Sequence, residues 1–245
     1  MREAPEFATV VGDYRYNDRW RNLSLAHVAQ QTEDLKSWQS RFEAVDTADF
    51  SEQDKISQQI MVQGLRLRIE GNRLKTFDMP IDQFFGFHLI IAQMVSFSPF
   101  DTTKQYEDYL ARLGKIPTLF DQIIEVLRQG EKDKLLPPRF QLEKTVEHCK
   151  SIAAPAGDSS PFAQLLSHFP DAVPDADRAR LKAAILRAID QDVRPAYRKL
   201  ADFLATDYAP KGRTEFGIWA VPNGDALYRY DVEQRGDPPA WVEGS

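Results

Sequence analysis

Apolar residues recur at three- and four-residue spacings over most of the chain, the pattern of helices that bury one face. Ser24 caps a helix predicted from Leu25 towards Val45, and the Ser51-x-x-Asp54 start opens a second. That second helix puts Ile56, Ile60, Gln63 and Leu67 on one side, with Met61, Leu65 and Ile69 adjoining, and should end near Lys75. In "FDMPIDQ" Pro80 disfavours helix at Met79. A very apolar helix follows to about Phe97 and is expected to lie centrally in the core. "SPFDTTKQYEDYLARLGKIP" reads as a turn, an Asp or Thr cap and a short helix closed by Gly114, with Pro117 to Arg128 as its antiparallel neighbour.

"KDKLLPPRF" is a rigid connection to a helix over Phe140 to Ile152, and "AAPAGDSSPF" offers so little to bury that a linker or excursion is expected there. The strongest single helix begins at Asp175, with a stripe through Leu181, Ile185, Ala188, Ile189, Tyr197, Leu200, Ala201 and Leu204. Pro195 should kink it, at a cost of ~3 kcal/mol if unrelieved. Strand signal is confined to "FGIWAV" and "ALYRYDV", joined by a Pro-Asn-Gly-Asp turn that reads as a hairpin at Asn223-Gly224. The expected fold is therefore mostly α, a multi-helix bundle-like array with one short β element near residues 216–232.

Composition narrows the function classes. The 245 residues are 42% hydrophobic and 28% charged, which is ordinary for a globular chain with ample core. A formal net charge of -6 without clustered Lys and Arg argues against a nucleic-acid partner. "GLRLRIEGNRLK" alternates basic with apolar residues and reads as a solvated helix face. Cys149 is the single cysteine, so an internal disulfide and a CxxC metal pair are excluded. No apolar run reaches the ~18 residues of a membrane span. "MREAPEFATVVGDYRY" lacks the apolar core of a signal peptide, so the sequence as it stands reads as cytoplasmic.

Chemistry-bearing motifs are sparse. His27, His88, His148 and His168 are scattered, and H-E-x-x-H, which sets two imidazoles on one helix face, does not occur. "EKTVEHC" places Glu143 and Glu147 on one face beside His148 and Cys149, either a metal half-site or a solvated acidic face with a buried cysteine. No G-x-S-x-G elbow, P-loop or G-x-G-x-x-G is present. His88, in the most apolar helix, reads as a core histidine or as a substrate contact. Trp219, Tyr228 and Tyr230 read as cleft-lining aromatics or as cross-strand packing.

Three stretches together resemble one family. "PEFATVVGDYRYNDRWRNLS" is similar to the N-terminal signature of the bacterial proteins called domain of unknown function 885, and "MPIDQFFGFH" to their next recurring block. "RPAYRKLADFLATDYAPKGRTEFGIWAVPNGDALYRY" resembles the third, with its core at Gly217, Trp219, Pro222, Asn223, Gly224 and Tyr228. The resemblance covers the chain to about Val232, which divides it into a helical region over 1–232 and a divergent polar tail over 233–245.

What the resemblance implies is a helical, zinc-peptidase-like protein of about twice this length or more. The family's H-E-x-x-x-G-H-H zinc motif lies downstream of the Pro-Asn-Gly block, and no residue here matches it. No catalytic residue and no metal ligand is carried over, and zinc is expected only in a full-length relative. Family members often carry an export or lipoprotein leader. "EQRGDPPAWVEGS" departs from the family pattern and reads as an end reached by truncation or frameshift. The resemblance also implies that "YRY" begins a helix, in conflict with the hairpin reading. The expected function is thus the non-catalytic N-terminal portion of a metallopeptidase-like hydrolase, one wall of a cleft for a peptide-like substrate. Its cleft candidates are Trp219, Asn223, Gly224, Tyr228 and His88. An exposed apolar face capable of self-association is expected with it. The alternative is a free-standing helical binding or scaffold module.

Overall fold

A computed structural model describes residues 1–84 and 86–235. Ten α-helices follow one another among them: α1 Pro5–Val10, α2 Leu25–Glu43, α3 Glu52–Arg73, α4 Phe87–Phe97, α5 Thr103–Leu113, α6 Ile116–Lys132, α7 Arg139–Ala153, α8 Asp175–Ala188, α9 Arg194–Phe203 and α10 Gly224–Gln234. The mostly helical array is as expected. Among the described residues the sole β-type pairing is a parallel bridge between Pro138 and Arg213.

The helix starts follow their caps. Ser24 Oγ accepts from the His27 N–H, and Ser51 Oγ from the Asp54 N–H. Thr102 and Gln105 form a full capping box at the head of α5, satisfying amides that the first turn leaves without partners. α6 makes its main packing against α9 and does not fold back on α5. Helices α7 and α9 pack together, α4 packs on α7, and α5 packs on α8. At their centre Leu181, Ile185, Ile189, Tyr197, Leu200 and Leu204 are completely buried with Phe120, Ile123 and Leu127. The stripe read from the sequence is the core.

α8 and α9 form one continuous rod with two π turns, Ile189–Val193 and Leu204–Tyr208. Each ends two residues before a proline. The Arg194 N–H reaches back to Ile189 O, and the Ala209 N–H to Leu204 O, just ahead of Pro195 and Pro210. A proline ring strikes the carbonyl four residues earlier in a regular helix and supplies no N–H. The wider turn moves that carbonyl aside, which relieves the cost without breaking the rod.

The loop stretch over residues 153–162 is an excursion that packs back. It forms short 3-10 turns, buries Ser160 and Phe162, and gives the Phe162 carbonyl to the Tyr109 hydroxyl at 3.0 Å. The N-terminal segment is stapled by Arg112, which is 1% exposed. Its guanidinium donates to the carbonyls of Arg19 and Tyr16 and to Thr9 Oγ1, while Trp20 Nε1 donates to the Arg112 carbonyl at 2.8 Å. Beside it, buried Glu6 receives Arg21 through both the backbone amide and the guanidinium. These contacts give physical sense to much of "PEFATVVGDYRYNDRWRNLS": nearly every polar residue in it has a partner.

A second expectation is corrected. The short β element near residues 216–232 is absent: Ile218–Ala220 is a 3-10 turn and Gly224–Gln234 is α10. A hairpin at Asn223-Gly224 needs positive φ at both residues. Only Asn223 has it, at φ 58. The turn is centred one residue earlier, on Pro222-Asn223, closed by the Gly224 N–H on Val221 O at 3.0 Å. Proline second and a left-handed residue third is the type II pattern. Gly224 then begins a helix, so "YRY" is helical, as the family resemblance implied.

Candidate functional site

The segment from Arg213 to Tyr228 is anchored by one arginine. Arg213 exchanges backbone hydrogen bonds with the Pro137–Arg139 connection: its N–H donates to Pro137 O, and its carbonyl accepts from the Arg139 N–H. Its guanidinium donates to Leu136 O at 2.9 Å and to Gly217 O at 2.8 Å, and also to the Glu215 carbonyl. Partial burial holds its pKa below the usual arginine value. One side chain thus fixes the entry to the loop and the carbonyl two residues before Trp219.

Two glycines then shape the turn. A Cβ on Gly217 would fall 2.2 Å from the Trp219 indole, so the ring lies directly over that residue. A Cβ on Gly224 would meet Ile218 O at 2.3 Å and Trp219 Cα at 2.6 Å. Glycine is required at 224, where backbone atoms approach closer than a side chain permits, whereas at 217 a side chain would have to displace the exposed Trp219 ring. Val221 and Leu227 anchor the turn from beneath, packing with Leu74, Leu135 and Tyr230 in a small apolar cluster separate from the main core. The result is a braced loop that presents its aromatics outwards: Trp219 is 76% exposed and Phe216 75%. Phe216 stands edge-on to Phe140 with ring centres 5.2 Å apart. Tyr228 is exposed on the first turns of α10.

The sequence-derived candidates therefore divide. Trp219, Asn223, Gly224 and Tyr228 lie on one braced segment, Asn223 supplying the left-handed turn and Gly224 the close approach. His88 is elsewhere. It is fully buried on α4, stacked on the His148 ring of α7 at 5.8 Å, and the Tyr197 hydroxyl donates to its carbonyl at 2.6 Å. Neither ring nitrogen has a hydrogen-bond partner. Burial, and then the neighbouring His148, push its pKa down to about 4, so it is a neutral core imidazole.

The other candidate cluster is spread out. Glu143 pairs with Arg139 and Glu147 with Lys144 on the surface of α7, whereas Cys149 is completely buried. Burial pushes that thiol up to about 12, so it is not a nucleophile. Among the described residues no group of three or more His, Cys, Asp or Glu side chains is placed to hold a metal ion, and no helix is long and apolar enough to cross a membrane.

Sequence reasoning missed Arg213, Phe140 and a buried acid, Asp78, beside the partly exposed Asp133. Asp78 is completely buried and neither carboxyl oxygen receives a hydrogen bond. Burial first, then the neighbouring Asp133, push its pKa up to about 7. Asp78 makes no hydrogen bond in this arrangement, and the nearby Asp133 carboxylate is held ionised by Lys75 at 2.6 Å. Lys75 follows the end of α3 in left-handed backbone at φ 58, where glycine or asparagine is usual, so the sequence itself gives no signal of the pair.

No curated protein matches the chain. Among solved structures, one described as "The crystal structure of the putative lipoprotein from Colwellia psychrerythraea" superposes with a TM-score of 0.82 at 22% sequence identity. The superposition takes in 95% of this chain and 43% of that one, so this chain spans less than half the length of its structural neighbour. The two share a fold. Residues 5–238 match the family described as "Bacterial protein of unknown function (DUF885)", and that match over nearly the entire chain makes the protein a member of the DUF885 family.

Proposed function

We propose that this chain is the non-catalytic N-terminal portion of a longer, metallopeptidase-like hydrolase, and that it supplies one wall of the cleft in which a peptide-like substrate lies. The observation that carries the reading is the braced, outward-facing indole of Trp219. An aromatic ring 76% exposed contributes little to its own fold, yet Gly217, Gly224 and Arg213 are all committed to holding it there. Rigid aromatics that lose little entropy on contact are the side chains that recognition surfaces favour. Trp219, with Tyr228 and the Phe216–Phe140 pair, would take the apolar side chains of an extended peptide.

Strand addition is not the mode of contact. The N–H groups of Ala220, Val221 and Gly224 are spent inside the turn, on Gly217, Ile218 and Val221 carbonyls. Ring contacts carry the recognition in its place. Catalytic groups, and the zinc of the intact hydrolase, belong to the part of the protein beyond this chain.

The test is a paired assay on the 245-residue chain. Equilibrium dialysis against zinc and an unstructured, aromatic-rich peptide as hydrolysis substrate should give no stoichiometric zinc and no cleavage. One equivalent of zinc, lost in His148→Ala, would sink the proposal. The alternative reading, a free-standing helical binding module, draws on the closed core around Tyr197 and Leu200, which is complete without a partner. It shares the absence of cleavage but expects no catalytic half encoded downstream at the source locus.

A further inference from the structure

A cleft of about 270 Å³ lies between the first turns of α2, the end of α3 and the end of α6. Leu25, Val28 and Ala29 of α2 give it an apolar wall, and Phe77 adds an aromatic ring. Against these it sets two carboxyl groups, Asp78 and Asp133. None of its lining residues belongs to the segment around Trp219, so it is a separate place on the molecule. Its polar side chains are partnered, with one exception. Asn72 donates to Thr32 Oγ1 at 2.8 Å. Asp133 receives Lys75 on Oδ1 at 2.6 Å and Gln129 on Oδ2 at 2.8 Å. Asp78 is the exception: it is completely buried, and no donor among the described residues reaches either oxygen. Lys75, the nearest cation, is spent on Asp133. A second buried group close by, the Tyr208 hydroxyl, also lacks a partner, and burial first, then the Asp78 charge, raise its pKa. Buried polar groups are as a rule hydrogen-bonded, and a carboxyl without a donor is among the costliest exceptions.

We propose that this cleft binds a primary ammonium group on a short apolar stem, the ammonium bridging Asp78 and Asp133 and the stem lying against Leu25, Val28 and Phe77. An ammonium brings three N–H donors and no acceptor, which suits a place where acceptors are in excess. Its charge also offsets the repulsion between two neighbouring carboxyl groups. A metal ion fits less well, because among the described residues, which leave out the polar tail over 236–245, no three His, Cys, Asp or Glu side chains are placed to hold one. A free alkylamine and a lysine side chain carry the same chemistry. The inference does not depend on the proposed function.

Binding should also release a proton. Asp78 keeps its proton to about pH 7, through burial first and Asp133 next, with Lys75 opposing. Around it Asp133 is held ionised and Tyr208 protonated, and Glu131 is the further charge in range of Tyr208. An ammonium pairs with the ionised carboxylate, so the Asp78 proton passes to solvent. Affinity should therefore fall about tenfold for each pH unit below about 7 and level off above it.

An NMR titration of the 245-residue chain at pH 8 tests it, with n-butylammonium chloride and Nα-acetyl-lysine methylamide as probes and n-butanol as the neutral control. The expected result is saturable one-to-one binding of an ammonium probe, with amide shifts confined to residues 25–32, 72–78 and 129–133. Asp78→Asn should weaken it at least tenfold, and the parent should show the pH dependence above. Tighter binding of the lysine derivative assigns the cleft to a lysine side chain, and tighter binding of n-butylammonium to a free amine. Binding of n-butanol as tight as that of n-butylammonium, unchanged affinity in Asp78→Asn, or equal affinity from pH 5 to 8 overturns the proposal. So does a lack of saturation with both ammonium probes, since ordered water alone would then serve Asp78.

Discussion

The indole of Trp219 lies across Gly217 so closely that a single methyl group on that glycine would come within 2.2 Å of the ring. A side chain that is three-quarters exposed has its position set by the absence of another side chain. Gly217→Ala should therefore move the indole and alter tryptophan fluorescence, while thermal stability changes little. Trp219→Ala should be similarly mild, within about 0.5 kcal/mol by urea denaturation, because little of the ring is buried. A large loss of stability in Trp219→Ala would make the residue structural and remove its claim to a recognition role.

Two buried tyrosines should respond in opposite ways. The Tyr197 hydroxyl donates to the His88 carbonyl, and Tyr197→Phe removes that buried hydrogen bond, at a cost of about 0.5–1.5 kcal/mol. The Tyr106 hydroxyl is buried with no partner, so Tyr106→Phe should be neutral or slightly stabilising. Paired urea melts decide this.

Asp78 sets a pH dependence whose sign is fixed by its raised pKa. The unfolded carboxyl ionises near 3.8, the folded one near 7. Folding therefore favours the protonated acid, and that contribution is fully present below about pH 4 and lost as pH rises to about 7. Asp78→Asn, which has no proton to lose, should be increasingly more stable than the parent across that window. Between pH 4 and pH 8 the difference should grow by on the order of 4 kcal/mol. Parallel stability curves for the two proteins from pH 4 to 8 would refute the buried, protonated acid.

Arg112 should be among the most sensitive positions. Arg112→Ala removes the donors to Arg19 O, Tyr16 O and Thr9 Oγ1, leaving them without that partner. A loss of about 3 kcal/mol or more is expected, with early proteolysis of residues 1–24 as the local signature.

The helices and the core were legible because their signals are local. Ser24, Ser51 and Thr102 announce helix starts through side chains that bond amides three residues on, and the Leu181–Leu204 stripe shows its face by spacing alone. Pro195 was visible as a problem, though the remedy was not: a π turn is a backbone response with no residue signature of its own. The hairpin reading failed on one residue. Asn223-Gly224 is a strong hairpin dipeptide, but Pro222 before it fixes a type II turn, and Leu227 and Tyr230 find apolar partners on α3 that hold a helix there. The braced aromatic site was half legible. Trp219, Asn223 and Gly224 stand out in sequence, whereas Arg213 and Phe140 join them through contacts made far along the chain or across the fold. Asp78 and Asp133, fifty-five positions apart, met only in the folded protein.

The central claim is that the face around Trp219 receives a peptide. The most direct measurement is hydrogen exchange over residues 213–230 with and without a saturating unstructured, aromatic-rich peptide, repeated with Trp219→Ala. The account expects slowed exchange confined to that segment and the neighbouring start of α7, lost in the variant while the core is unchanged. Unaltered exchange at saturation, or equal protection in Trp219→Ala, would contradict it.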